Sequence, residues 1–220
     1  MLQPQNSLNF KMEESIVKSF RAMACSIQEV EPFVAKWHYS HSVNGISHTH
    51  CFKLVNKKEE MIGVMVFGKL AMASVWKKYV EKETDIIELR RLCCIDDTPK
   101  NTESYFIGKC IRWLKNNTDV KKIISYADST FGHSGIIYKA TNFKKIGETK
   151  SNRVIIFNGK RYHDKTIRTY YNGKLKPFAS EIKNALESGQ AKYENTKIKH
   201  IYILELNGKM RKFNKFFKIQ

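Results

Sequence analysis

Acidic residues are scarce in the second half of this chain. Residues 139–220 hold 6 Asp/Glu against 20 Lys/Arg, while residues 1–138 hold 15 against 19, so nearly all of the formal +18 charge sits late in the sequence. An excess of that size in one half points to a polyanionic partner; a solvated, soluble surface is the plainer account. Long apolar runs are missing as well. No stretch approaches the roughly 18 uninterrupted apolar residues of a membrane-spanning helix, and residues 1–10 are polar, where a secretion signal would be basic and then apolar. The expectation is a cytosolic protein with no membrane partner.

Paired cysteine motifs are also absent. Cys25, Cys51, Cys93, Cys94 and Cys110 are odd in number and form no CxxC, which argues against a disulfide framework or a zinc ribbon. They read as reduced thiols packed like small hydrophobes, Cys93 and Cys94 within the apolar run 92–95. No internal repeat or low-complexity linker interrupts the chain. With 220 residues and 42% hydrophobic content there is enough for a proper core. We expect residues 1–158 to form it, with a basic extension, 159–220, packed on the same domain.

Periodicity gives a coarse element order. In residues 15–38 the apolar positions Ile16, Phe20, Met23, Ile27, Phe33 and Trp37 predict a strand or turn, then a helix from near Glu29. Residues 50–55 and 61–67 read as an antiparallel hairpin, and 74–80 as a helical turn. Residues 85–95 are apolar enough for a central strand. A helix over 102–114 follows, capped by Asn101 or Thr102. Next come a strand over 121–128, a short helix over 133–141 and a second hairpin from 143–149 and 153–157. Basic loops over 159–176, a helix over 180–186 and a last strand over 197–206 complete the order. This alternation implies a right-handed crossover and partly parallel pairing.

The densest local signal is the run from Tyr126 through Asp128, Ser129, Thr130, Gly132, His133 and Gly135 to Tyr138. An apolar strand ends there on a carboxylate, and a glycine-bounded loop then opens a helix. Strand ends that deliver ionisable groups are where α/β proteins keep their chemistry. Asp128 also suits a turn or N-cap, and Tyr138 an amphipathic core position. His48 and His50, at i and i+2, would share a strand face and with His41 suggest a cluster, although loop and strand polarity explains them as well. Arg90 and Arg91 face opposite sides of a regular strand, so at most one enters a common gap; we choose Arg91, with an ion pair to Glu88 as the structural alternative.

An antiparallel front half joined to a strand-helix-strand back half resembles the GNAT acyltransferase architecture, a mixed α/β (α+β) sheet with splayed parallel strands flanked by helices. More specifically, residues 37–147 resemble the Mom family of phage DNA-modification enzymes. The match rests on Trp37-His38-Tyr39-Ser40, on Glu88-Leu89-Arg90-Arg91-Leu92-Cys93, and on Tyr126-Ala127-Asp128 through His133, Gly135, Tyr138, Ala140, Asn142-Phe143 and Gly147.

The resemblance implies a transferase that attaches a carbamoylmethyl or acyl-type group to the N6 amine of adenine in duplex DNA and protects that DNA from restriction, in the cytoplasm of a bacterial host. It implies acetyl-CoA or a related acyl donor, lodged along Cys93, Ile95, Thr98, Asn101, Thr102 and Ser104, although this segment lacks the usual glycine-rich phosphate loop and carries Asp96, Asp97 and Glu103, which would repel phosphate. His38, Tyr39, Arg91, Asp128 and Tyr138 would form the catalytic set, with Asp128 orienting the amine or acting as base and Tyr138 protonating a leaving thiolate. His38, Tyr39 and Asp128 also form an N/O ligand set for a transition metal such as iron.

The basic half would contact phosphates through Lys139, Lys144, Lys145, Arg153, Lys160, Arg161, Lys165, Arg168, Lys209, Arg211 and Lys212 while a flipped adenine enters the pocket. Tyr162, Tyr170, Tyr171 and Phe178 are candidates to stack on bases, and equally for core packing. A homodimer is among the assemblies the sequence permits. Two rivals stay open: an N-acyltransferase acting on another amine (a modified base, small molecule or protein), and a non-catalytic basic DNA-binding protein.

Overall fold

The computed structural model describes residues 5–132 and 134–206. His133, Lys209, Arg211 and Lys212 lie outside the described residues. The chain runs α1 (Gln5–Lys18), β1 (Arg21–Cys25), α2 (Ile27–Trp37), β2 (His48–Val55), β3 (Met61–Gly68), β4 (Ile86–Cys94), α3 (Thr102–Asn117), β5 (Lys122–Asp128), α4 (Ile136–Ala140), β6 (Lys144–Glu148), β7 (Arg153–Phe157), β8 (Lys160–His163), α5 (Pro177–Glu187), β9 (Lys192–Asn195) and β10 (Lys199–Glu205), with short 3-10 turns between. A seven-stranded sheet has the order β1-β2-β3-β4-β5-β10-β6, and a three-stranded sheet the order β8-β7-β9.

Two compact units emerge. The first holds the described residues up to Tyr126, Gly135–Ile146 and those from Tyr202; the second holds Ala127–Ser134 and Gly147–Ile201. The turn at 158–159, expected as the border of a basic extension, joins β7 to β8 inside one sheet of the second unit.

In the first unit, alternation along the strands sorts side chains onto two faces. Cys51, Val64, Val66 and Cys93 pack with Val30, Phe33 and Val34 of α2. Phe52 meets Phe67 at 6.0 Å and Trp113 of α3 at 5.2 Å. The helix α2 starts two residues earlier than Glu29, because Ser26 and Glu29 form a reciprocal capping box.

Two irregularities re-aim the sheet. The β2–β3 register shifts between His48 and His50, and the β3–β4 register shifts between Val66 and Phe67, where Arg91 opposes Val66 and Leu89 opposes Phe67. Arg90 is therefore the extra residue of a bulge. The first shift breaks the strict alternation that would put His48 and His50 on one face. The second removes the simple opposition expected of Arg90 and Arg91.

The parallel β4–β5 pairing is short. Ile86 opposes Lys122, Ile87 opposes Ile123 and Glu88 opposes Ile124; the strands then part although both continue. The β4-α3-β5 connection is the crossover that parallel neighbours require.

In the second unit, Ile155 on β7 packs with Ile182 and Ala185 of α5 and with Ala191. The expected hairpin of 143–149 with 153–157 is not formed: β6 neighbours β10 in the large sheet, whereas β7 lies between β8 and β9 in the small one. Both segments carry a strand pattern, and that pattern does not encode the partner. Likewise the region expected as basic loops contains β8 and a 3-10 turn, Asp164–Arg168.

Candidate active site

In the first unit, the segment after α2 and the bulged part of β4 are tied together by one carbonyl. His38 closes α2, its N–H bonded to Val34 O at 3.0 Å. Its ring Nδ1 accepts the Ser40 N–H at 3.1 Å and lies 2.8 Å from Ser40 Oγ. A backbone N–H can only donate, so Nδ1 is an acceptor and the neutral ring carries its proton on Nε2. Ser40 Oγ in turn reaches Ser42 O at 3.2 Å, and the same carbonyl accepts from Arg91 Nε at 3.1 Å. The Tyr39 ring stacks beside His38 at 4.2 Å and is half exposed.

Arg91 also donates from Nη1 to Arg90 O at 2.8 Å, so its fork is fixed by two backbone oxygens. Burial lowers its pKa from the ordinary guanidinium value, and the Tyr39 phenol nearby works the other way. The ion pair with buried Glu88 is made by Arg90, at 3.2 Å, not by Arg91; Glu88 also accepts from Ala71 N at 2.9 Å.

Where β4 and β5 part, Ser125 spans the opening. It is wholly buried, and its Oγ donates to Leu89 O at 3.3 Å. Tyr138 lies beside the Ser125 side chain, and its ring packs against Tyr202 at 5.3 Å and Phe143 at 5.5 Å. Burial pushes the Tyr138 phenol above its ordinary pKa, and Tyr39, Glu88 and Tyr202 add to the rise. Tyr126, beside Glu88, is pushed up to about 12, chiefly by burial. His38, Tyr39, Arg91 and Tyr138 thus belong to one unit, and Glu88, Ser125 and Tyr126 join them. A polar Ser125 inside an otherwise apolar strand was the signal that could have found it.

Asp128 belongs to the second unit. Its Oδ1 accepts the Thr130 N–H at 2.9 Å, capping a 3-10 turn, and Oδ2 pairs with Lys199 at 2.9 Å. Burial raises its pKa, but Lys199 and the Thr130 N–H outweigh that and hold the carboxyl below its ordinary value. A carboxylate so engaged has little proton affinity left for base work. The expected metal set does not fit: His38 Nδ1 and both Asp128 oxygens are already engaged, and among the described residues no group of three His, Cys, Asp or Glu side chains is placed to hold an ion. The histidine cluster likewise dissolves, His41 bonding Ala35 O and His50 bonding Thr49 Oγ1.

The donor segment is built from local turns. Thr98 Oγ1 donates to Ile95 O at 3.1 Å, Thr102 Oγ1 to Pro99 O at 2.7 Å and Ser104 Oγ to Asn101 O at 3.0 Å. Asn101 sits at φ 68 and makes no side-chain cap. Ile95 N is bonded to Ile62 O, and the Cys93 thiol, buried in the core, is pushed up to about 11 by burial first and then by Asp96 and Glu103.

Of the basic candidates, Lys139, Lys144 and Lys145 are exposed on the first unit, and Arg153, Lys160, Arg161, Lys165 and Arg168 are exposed on the second. Asp164 pairs with Arg168 and lies 3.8 Å from Arg153, whose guanidinium also covers the Tyr193 ring at 3.8 Å. Tyr162 packs against the small core, while Tyr170, Tyr171 and Phe178 stand exposed.

A mixed sheet with a short parallel pair that splays beside a partly buried tyrosine is the GNAT architecture. Arabidopsis thaliana NAA60 in complex with acetyl-CoA matches it with a TM-score of 0.50 at 10% identity, over 86% of this chain and 99% of that one. The spermidine/spermine N-acetyltransferase SpeG from Vibrio cholerae gives 0.49 at 7% identity, over 87% and 95%. A family model of the Mom protein family matches residues 19–219, and the chain belongs to that family. It is also similar to the methylcarbamoylase mom of Escherichia phage Mu, at 27% identity over 209 residues, 92% of this chain and 83% of that relative.

Proposed function

We propose that this protein is a DNA-modifying transferase that moves a carbamoylmethyl or acyl-type group to the exocyclic N6 amine of adenine, and so shields DNA from restriction in a bacterial host's cytoplasm. The observation that carries the reading is Tyr138: a partly buried phenol with a raised pKa, beside Ser125 where β4 and β5 part, in a member of the Mom family. For an acyl-type group the parted strands would hold a thioester donor related to acetyl-CoA, which would supply an acyl carbon with a sulfur leaving group; for a carbamoylmethyl group the new bond is to a methylene carbon, and the donor would have to carry its leaving group there.

Tyr138 holds its proton at neutral pH, gives it to the leaving sulfur and is reprotonated by the amine that forms the new bond. Arg91, fixed by Ser42 O and Arg90 O, keeps a positive charge beside Tyr39, and His38 contributes an Nε2 proton. Both suit charge that develops on oxygen during transfer. Asp128, through Thr130 and Lys199, positions its own loop. The exposed cations of both units contact duplex phosphates while the adenine is turned out of the stack.

The test is mass spectrometry of nucleosides from DNA of cells expressing the wild type and Tyr138→Phe. An altered deoxyadenosine lost in the variant, with salt-sensitive duplex binding retained, supports the proposal. Unaltered nucleosides with an acylated protein or small amine would move the activity to another acceptor.

A further inference from the structure

The second unit carries a basic aromatic surface that no step of the transfer chemistry uses. Tyr171 and Lys174 exchange backbone hydrogen bonds at 2.8 and 3.0 Å across Asn172 and Gly173, both at positive φ. This is the tight primed turn in which two left-handed residues suit Asn-Gly. Tyr170, 56% exposed, lines an open groove completed by Ser180, Lys183 and Asn184 of α5, and the neighbouring Tyr171 is equally exposed. Phe178, 49% exposed, stands on that helix, and Lys174 and Lys183 line the groove. Lys176 lies 4.5 Å over the Tyr171 ring.

Lys174, Lys176 and Lys183 pair with no acid among the described residues. Three half-exposed aromatic rings, one of them with Lys176 over one face, among cations without acidic partners match a ligand that offers flat rings and negative charge at a repeat of a few ångströms. An acidic peptide would use the lysines and leave the rings idle. A fully paired duplex hides its base faces inside the stack. An unpaired strand offers both, and base–aromatic stacking beside a cationic track is how such strands are held without sequence preference.

We propose that the groove between the Tyr171–Lys174 turn and α5 binds an unpaired nucleic-acid strand through base stacking on Tyr170 and Tyr171 and phosphate contacts from Lys174 and Lys183. This goes beyond the transfer reaction: it assigns the second unit a grip on strand that is not base-paired.

The experiment is fluorescence anisotropy of the full chain with labelled dT12, rU12 and a 12-base-pair duplex, with thermal melts confirming that each variant is folded. Tyr170→Ala/Tyr171→Ala should weaken dT12 binding about tenfold or more, change duplex binding by less than about twofold, and be rescued by Tyr170→Phe/Tyr171→Phe. Lys174→Glu/Lys183→Glu should flatten the salt dependence for dT12 by about 1.4 in slope, two phosphate contacts at roughly 0.7 each. A comparable loss with rU12 assigns the site to unpaired strands of either sugar, and a loss confined to dT12 assigns it to DNA. Unchanged dT12 affinity in the double alanine variant, or an equal loss for duplex, overturns the proposal. The Tyr138→Phe protein should bind dT12 like wild type, so failure of the transferase reading and failure of this one are separable.

Discussion

The ring of Tyr202 lies so close to Gly135 that a β-carbon on Gly135 would meet ring carbons at 2.4 Å. Gly135 also sits at φ +77, and α4, which carries Tyr138, begins at the next residue. Gly135→Ala should therefore cost about 1–2 kcal/mol for the left-handed backbone alone, and more for moving Tyr202. A drop of several degrees in thermal midpoint, with lowered modification, is expected; an unchanged melt would contradict the packing.

The Asp128–Lys199 pair should be visible in the pH dependence of stability. Asp128 has a folded pKa below its ordinary value, so its contribution is complete above the unfolded carboxylate value near about pH 3.9 and is lost as pH falls through the folded value. Lys199 is 43% exposed, so solvent screens the pair, and Asp128→Asn should cost about 1 kcal/mol. The difference between wild type and variant in denaturant melts should hold from about pH 5 to 8 and shrink below about pH 4.

Arg91→Lys should be far from conservative. A lysine has no planar fork with which to hold Ser42 O and Arg90 O together, so the segment carrying His38 and Tyr39 loses its tie to β4. Modified deoxyadenosine should fall about tenfold or more, while duplex binding at fixed salt stays within about twofold of wild type because lysine keeps the positive charge.

The cysteines should be chemically quiet. Burial is the main cause that pushes Cys25 to about 12 and Cys51 and Cys93 to about 11, leaving almost no thiolate near neutral pH. Alkylation by iodoacetamide at pH 7.5 should be slow for the folded protein and complete in denaturant. Rapid labelling of Cys93 without unfolding would speak against its burial.

Much of the first unit was legible because its elements announce themselves locally: the 50–55 and 61–67 hairpin, the apolar strand at 85–95 and the helix at 102–114 all carry their period in adjacent residues. What escaped depends on partners distant in sequence. The β6 and β7 segments look like one hairpin, yet the choice of neighbour is made in tertiary packing. The Arg90 bulge cannot be read from alternation, since it is a break in alternation.

At the site, His38, Tyr39 and Arg91 were named, but their link runs through the backbone oxygen of Ser42, which every residue possesses and no side-chain pattern marks. Asp128 was legible as a strand-end carboxylate. Its engagement by Lys199, 71 positions later, was not.

The brief union of β4 and β5 has a mechanical consequence. Paired along the backbone only from Ile86 to Glu88, with the Ser125 hydroxyl on Leu89 O just beyond, the two strands share a joint at one end and diverge from it. At a rise of about 3.3 Å per residue, the four residues from Glu88 to Leu92 form a lever of about 13 Å. A rotation of about 5° at the joint would then move its tip by about 1 Å, the scale on which misplacement of reacting groups costs about a hundredfold in rate. Side chains packed around Ile86 and Ile123, remote from any reacting atom, thereby set the alignment of the far end.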